Sequence, residues 1–424
     1  MKASEKAGLV NENTNRLNFF ALEPEAASLY CSQDLKERNI NKDYIKPGKI
    51  YIICDLGGGT GDIVTHEKSL FNNIYEKYPP IGGNYDSDEI NKQIFNKVIY
   101  KIFGFKDYIS LKKKNEEKGF PWKEEDELFI EWYNLQNEIQ GKKKITEDKK
   151  EQFFLVNFGL FQEFTESDIE KLVENYNISC PEGWKISIKN KKRWILSLPY
   201  KIFFDLIEDH AKKIIEQLNK VYQKVDNIES IVYVGGYCSN EILFQRIKNE
   251  FKELINNLKP TRPEIAVIKG AVLFGLNSDI ISVRKAPYTI GFKTTRIWDE
   301  DIYGGIGEKT YDPDYNVYRC YNIFHVFIKI GQDISFDDVI THNFTMLGPR
   351  YVSLKFYKTL KEKPILCTEE GVEIIGKDEL DLGRDYPLNE RNLIIKMKFG
   401  GTYCEAKCIH TKSGKEIKLP LYFN

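Results

Sequence analysis

Asp55-Leu56-Gly57-Gly58-Gly59-Thr60-Gly61-Asp62 follows the apolar run Ile50-Tyr51-Ile52-Ile53-Cys54 and leads into Ile63-Val64-Thr65. The run reads as a strand, a tight glycine turn and a second strand. Adjacent glycines let the backbone turn sharply and present N–H groups to an anion, because no Cβ blocks the approach. Asp55 and Asp62 close the two ends of the turn, where carboxylates suit a hydrated Mg²⁺ held against phosphates, and Thr60 offers a hydroxyl to the terminal phosphate. A Walker loop would need Lys-Ser/Thr before a helix, and a dinucleotide fingerprint would need a glycine where Asp62 stands. Neither fits a turn that continues into a strand. The remaining structural reading, an ordinary hairpin, does not call for three glycines between two acids.

Outward from this loop, residues 1 to about 85 alternate helix and strand signals: a short helix ending near Gly8, a strand through Phe19-Phe20-Ala21-Leu22, and a helix from Glu25. Ile90, Ile94, Val98 and Ile102 recur at helical spacing and open a long, charged, loop-rich stretch to about residue 192, read as an inserted subdomain. Phe203, Leu206, Ile207, Ile214 and Leu218 mark a long helix. It leads to the strand Ile231-Val232-Tyr233-Val234, the pair Gly235-Gly236, and a helix carrying Ile242, Leu243, Ile247, Phe251 and Leu254 on one face. Paired glycines between a strand and a helix allow close approach of a flat group, and the helix N-terminus favours anions. In the stretch 263–275, Ala266 with Gly270 and Ala271 with Gly275 give small faces for packing against another helix. Beyond Pro287 the period becomes two, as in Leu393, Ile395, Met397 and Phe399 alternating with Lys396 and Lys398, which reads as a β-sandwich-like domain.

The chain has 424 residues, enough for two or three domains at roughly 150 residues each. A net charge of −1 sets up no global field toward nucleic acid or membrane. Lys142-Lys143-Lys144 is followed by Glu147 and Asp148 and reads as a solvated loop. Apolar runs fall short of the roughly 18 residues of a membrane helix, and Met1-Lys2-Ala3-Ser4-Glu5-Lys6 lacks a signal-peptide core. Scattered cysteines, several inside apolar strands, suit a reduced cytoplasmic compartment. Cys404, Cys408 and His410 share a strand face, but their span is about 20 Å in extended chain, too far for one ion. His210 reads as a boundary residue of its helix. Aromatic residues fall at core periodicities and form no spaced basic platform for bases.

In order, Glu23-Pro24-Glu25-Ala26-Ala27-Ser28, Asp55 to Asp62, Val234-Gly235-Gly236 and Lys269-Gly270-Ala271 resemble successive signatures of the actin, hexokinase and seventy-kilodalton heat-shock ATPase superfamily. Leu22 to Cys31 and Ile268 to Gly275 look most like the atypical protein-12 branch of the heat-shock group. The likeness is firm to about residue 290. It continues more weakly through Phe399-Gly400-Gly401-Thr402 and the closing strand 417–423.

The resemblance implies actin-like (ribonuclease H-like) lobes over 1–285, with the insertion at about 86–192, and a β-rich domain over 286–424. It implies ATP or ADP with Mg²⁺ in an interlobe cleft. Gly57, Gly58, Gly59 and Thr60 would meet phosphates, and Asp55 and Asp62 the magnesium shell or attacking water. Glu23 would join the metal-side hydrogen bonds, Gly235 and Gly236 the ribose and adenine, and Glu138 with Lys142 the far adenine wall.

Three departures matter. The family's Gly-Gly-Ser-x-Arg reads Gly235-Gly236-Tyr237-Cys238-Ser239, without the arginine that stacks on adenine. Nothing corresponds to the family's first phosphate hairpin or its catalytic lysine, so the first half of lobe I is expected to be missing and turnover by this chain is not expected. Val283-Arg284-Lys285-Ala286-Pro287 replaces the hydrophobic linker, and no helical lid follows the β-rich part. The leading expectation is thus an ATP-binding heat-shock-70-like protein with a chaperone-like or regulatory role. The alternatives are a non-hydrolysing nucleotide switch and a module that engages protein partners through its β domain.

Overall fold

The computed structural model of the chain describes residues 21–38, 47–70, 73–84, 87–117, 125–141, 153–158, 165–190, 194–276, 281–335, 338–400 and 403–421. The helix expected near Gly8, the positions Phe19 and Phe20, the lysine loop with Lys142, and Gly401-Thr402 lie outside them.

Helix α1 (Glu23–Glu37) starts with Pro24 in its first turn, where the missing N–H costs nothing, and is buried almost continuously from Pro24 to Cys31. The strands β1 (Ile50–Leu56), β2 (Gly61–Lys68) and β3 (Ile74–Gly83) form an antiparallel meander. Helix α2 (Ser87–Ile94) continues through a π-helical turn (Phe95–Ile99) into α3 (Tyr100–Phe103), which ends at Gly104 with φ 75°. Ile90, Ile94, Val98 and Ile102 are all buried, as their spacing predicts. The rest of the insertion holds α4 (Tyr108–Glu117), α5 (Glu125–Gly141), β4 (Phe153–Phe158), α6 (Glu166–Ser179), β5 (Ser187–Asn190) and β6 (Trp194–Pro199). Its small sheet has the order β4-β6-β5.

The chain returns through α7 (Lys201–Tyr222), β7 (Ile228–Val234), α8 (Glu241–Phe251), β8 (Asn256–Leu258) and α9 (Ala266–Leu276). Strands β7 and β8 add in parallel beside β1. Period two then divides the sheet residues between two layers. Ile52, Cys54, Leu56 and Ile63 join the largest core under α2, α7 and α8, whereas Tyr51 and Ile53 pack with Ala27, Cys31 and Ala266 from α1 and α9. A Cβ on Gly270 would fall 1.6 Å from the Ala26 carbonyl oxygen, so α1 and α9 touch backbone to backbone. Ala266 and Gly270 are consumed by that contact, whereas Ala271 and Gly275 are exposed. This mixed sheet, helix-covered on both faces, is compatible with an actin-like ATPase fold.

The segment expected to replace a linker is a strand, β9 (Ile281–Lys285), paired in parallel to β3. After it come β10 (Thr289–Ile297), α10 (Glu300–Tyr303), β11 (Lys309–Asp312), β12 (Val317–Ile328), β13 (Asp333–Ser335), β14 (Val339–Thr345), β15 (Tyr351–Thr359), β16 (Val372–Asp381), β17 (Asn392–Gly400), β18 (Tyr403–His410) and β19 (Glu416–Leu421). They form sheets of order β11-β12-β10-β15-β16 and β14-β17-β18-β19. Both sheets feed one buried cluster, which holds Phe292, Phe327 and Phe356 from the first and Ile395, Met397, Cys404 and Cys408 from the second. Strand β13 leaves this region to pair with β9, so the large sheet runs β13-β9-β3-β2-β1-β7-β8. His410 is buried and engaged by Ser413 Oγ at 2.8 Å and the Glu390 carbonyl at 2.7 Å. No described helix is long and apolar enough to cross a membrane.

Candidate functional site

The β1–β2 register sets Asp55 directly opposite Asp62 and Leu56 opposite Gly61, leaving Gly57 to Thr60 as the turn. Gly57 N–H donates to the Thr60 carbonyl at 3.0 Å, which closes the loop. The N-terminus of α2 pins it from the side, with Ser87 N–H to the Gly57 carbonyl at 3.4 Å and Asp88 N–H to the Gly58 carbonyl at 3.1 Å. Gly58, Gly59 and Thr60 are exposed, and space is open where a Cβ would stand on either glycine. The loop is therefore held at its base and free at its tip.

Gly235 ends β7 against the same base. Its φ of 87° lies in the left-handed region, and a Cβ there would fall 2.3 Å from the Leu56 carbonyl oxygen and 2.6 Å from Asp55 Oδ1. Only glycine lets the two turns meet. Gly235 is buried with its N–H on the Pro263 carbonyl at 3.0 Å, whereas Gly236 is exposed.

Three carboxylates converge here. Asp55 is buried, and its Oδ2 has no hydrogen-bond partner. Burial, then the charges of Glu23 and Asp62, push its carboxyl up to about 7. Asp62 is raised in the same way by burial and Glu23, partly offset by a hydrogen bond from the Thr60 hydroxyl. Glu23 itself is exposed at the start of α1. Asp55, Asp62, Thr60, Glu23, Gly57, Gly58, Gly59, Gly235 and Gly236 thus belong to one neighbourhood built from two turns and one helix start. Glu138 sits half-buried on α5, beside the core residues Leu135 and Ile139, and Lys142 lies outside the described residues. Tyr237 is buried with its ring 6.2 Å from that of His210. Among the described residues, no three His, Cys, Asp or Glu side chains group as a direct metal shell.

A cavity of about 560 Å³ adjoins the hairpin, with Glu23, Thr60, Asp62 and Glu76 on one side and Tyr288 and Phe399 of the β-rich part on the other. Glu76 accepts from the Lys285 N–H at 2.7 Å, and burial raises its carboxyl to about 7. In the cavity wall, Arg284 of β9 grips Glu25 of α1 in a two-pronged pair of 2.5 and 2.8 Å. Sequence reading did not single out Glu76, Arg284 or the role of Glu25. Glu25 stands inside the Glu-Pro motif, but Arg284 lies 259 residues away and carries no local signal.

No family model matches the chain. Among curated proteins, the human heat shock 70 kDa protein 12A is 23% identical over an alignment that covers all of this chain and 68% of that protein, and the mouse protein 12A gives the same figures. Human heat shock 70 kDa protein 12B is 20% identical with the same coverage. The likeness read from the Glu-Pro, glycine-hairpin and Lys-Gly-Ala motifs therefore extends along the whole sequence, which is similar throughout to the protein-12 branch of the seventy-kilodalton heat-shock proteins.

Proposed function

We propose that the protein binds an adenine nucleotide with Mg²⁺ at the Gly57–Thr60 hairpin, as a heat-shock-70-like protein with a chaperone-like or regulatory role. The observation that carries this reading is Asp55: a buried carboxylate oxygen without a partner, facing a second carboxylate, at the root of an exposed glycine turn. Burying an ionisable oxygen unsatisfied is costly, and a cation removes that cost. The donor set is all oxygen and has too few side chains for a dry cage. That suits magnesium, which keeps several waters and is held by one or two carboxylates plus phosphates. Asp55 and Asp62 would hold the hydrated ion, which when bound neutralises phosphate charge. Thr60 and the N–H groups of Gly58 and Gly59 would take the phosphate oxygens, Glu23 would order the metal-side water, and Gly235 and Gly236 would meet the sugar and base. Glu138 and Lys142 are assigned to the far wall of the base pocket on resemblance alone. Residues 1–285 would form the nucleotide-binding part and 286–424 a β-rich part that engages protein partners.

Titration calorimetry with Mg-ATP and Mg-ADP tests the reading. Asp55→Asn and Asp62→Asn should each weaken magnesium-dependent binding at least tenfold while circular dichroism stays native. Unchanged dissociation constants in both variants would remove it.

A second reading, a switch that binds nucleotide without hydrolysing it, is favoured by the charges around Asp55. Burial and two acids act on it, and no described cation offsets them. Transition-state charge on a phosphoryl group needs preorganised positive groups. Binding without phosphate release over hours would select this reading, and steady release the first.

A further inference from the structure

His325 of β12 and His342 of β14 meet across the two β-sheets, with Nε2 of the first 2.8 Å from Nδ1 of the second. On its other side, His325 Nδ1 lies 3.3 Å from a guanidinium nitrogen of Arg296 on β10. Arginine can only donate, so His325 Nδ1 must be the bare acceptor. Its proton is then on Nε2 and is donated to His342 Nδ1, which leaves His342 with its own proton on Nε2. The arrangement closes with both rings neutral and in one tautomer each. Aromatic rings wall it in: Phe327 is 4.5 Å from His342 and Phe344 is 5.0 Å from His325, centroid to centroid. Strand β14 is an edge of its sheet, and its inward residues Ile340, His342 and Phe344 are half-buried, so the pair sits at the open side of the shared core.

A further proton has two places to go, and each breaks the contact. On His325 Nδ1 it would face the guanidinium. On His342 Nδ1 it would face the N–H of His325. Either way a hydrogen bond is lost, and in the first case two cations are also brought together. The charged groups acting on His325 are His342 from β14 and Arg296 from β10. The residue paired with His342 on β17 is the apolar Ile395. Among the described residues, no carboxylate acts on His325 to hold an imidazolium there.

We propose that Arg296, His325 and His342 form a proton-labile clasp that ties the β14 edge to the five-stranded sheet and releases it on acidification. Burial, then His342 and Arg296, hold His325 down to about 4, against an ordinary value of 6.5. A histidine with a lowered folded value stabilises the closed form fully above about 6.5, and that stability drains away as pH falls toward about 4. Release would uncover the rings of Phe327 and Phe344 along the β14 edge.

Amide exchange by mass spectrometry on the full chain, corrected for intrinsic rate, tests this between pH 7.5 and 5. Protection in peptides covering β14 and β12 should fall at least tenfold more than in β1 and β7. His325→Gln, whose side-chain amide can accept from Arg296 and donate to His342 but takes no proton, should flatten most of that response. Should that variant not fold, Arg296→Leu, by removing a neighbouring cation, should raise the closed-state value of His325 and so shrink the fall in β14 protection between pH 7.5 and 5. Equal protection of β14 at both pH values, or a fall in protection undiminished by Arg296→Leu, would overturn the clasp.

Discussion

Asp55 and Glu76 are carboxyls that the folded chain keeps protonated to about pH 7, whereas the unfolded chain releases their protons near pH 4. Between those values the folded state binds more protons, so stability falls as pH rises, by up to about 1.4 kcal/mol per pH unit for each group. His66, fully buried with neither ring nitrogen partnered and pushed down to about 3, contributes in the opposite sense below its ordinary value. Comparing Asp55→Asn with wild type cancels that term. The variant should gain stability relative to wild type as pH rises from 5 to 8, read from urea midpoints, and magnesium should stabilise wild type more at pH 8 than at pH 6. A constant difference across that range would show that Asp55 ionises normally. The facing of Asp55 and Asp62 was legible in the sequence, because a four-residue turn between two strands fixes the register. The burial that perturbs Asp55 was not, since it is made by Gly235 pressing its backbone against the carboxylate from a strand 180 residues later.

Small residues on helix α9 separate what pattern can and cannot say about an element. Both pairs, Ala266 with Gly270 and Ala271 with Gly275, have the spacing for close helix packing, yet only the first meets α1. Gly270→Ala must push the helices apart and should cost about 1–3 kcal/mol. Gly275→Ala meets open space and should be neutral or stabilising by up to about 1 kcal/mol through helix propensity. Chemical denaturation of the two variants checks this, and equal destabilisation would mean that α1 and α9 are not in backbone contact. Strand periodicity was a fuller guide in the β-rich part: Leu393, Ile395 and Met397 face the core and Lys396 and Lys398 face out, because a sheet with one wet side imposes period two. The stretch 283–287, read as standing in place of a hydrophobic linker, is strand as far as Lys285, where Arg284 and Lys285 are neutralised by Glu25 and Asp333, contacts invisible along the chain.

Across the whole molecule, the Glu25–Arg284 pair joins the first described helix to β9, the strand next to the β13 edge of the large sheet, and the side chains are only 1% and 14% exposed. Removing one partner strands a buried charge, so Arg284→Met should cost about 3–5 kcal/mol, whereas Glu25→Gln combined with Arg284→Met should recover part of that loss. Thermal unfolding of the single and double variants measures it; additive losses would show that the two groups do not act as a pair. The strand-turn-strand at Asp55–Asp62, the helical run from Ile90 to Ile102 and the alternating β-rich tail were determined by sequence alone, because local periodicity and glycine chemistry are properties of neighbouring residues. Tertiary structure decided which glycine pair packs, that β9 and β13 extend the large sheet, that a cavity separates the hairpin from the β-rich part, and that His325 meets His342. Each of those depends on residues far apart in the chain, whose approach is settled by how the layers bury their apolar faces and by no feature of either segment read singly.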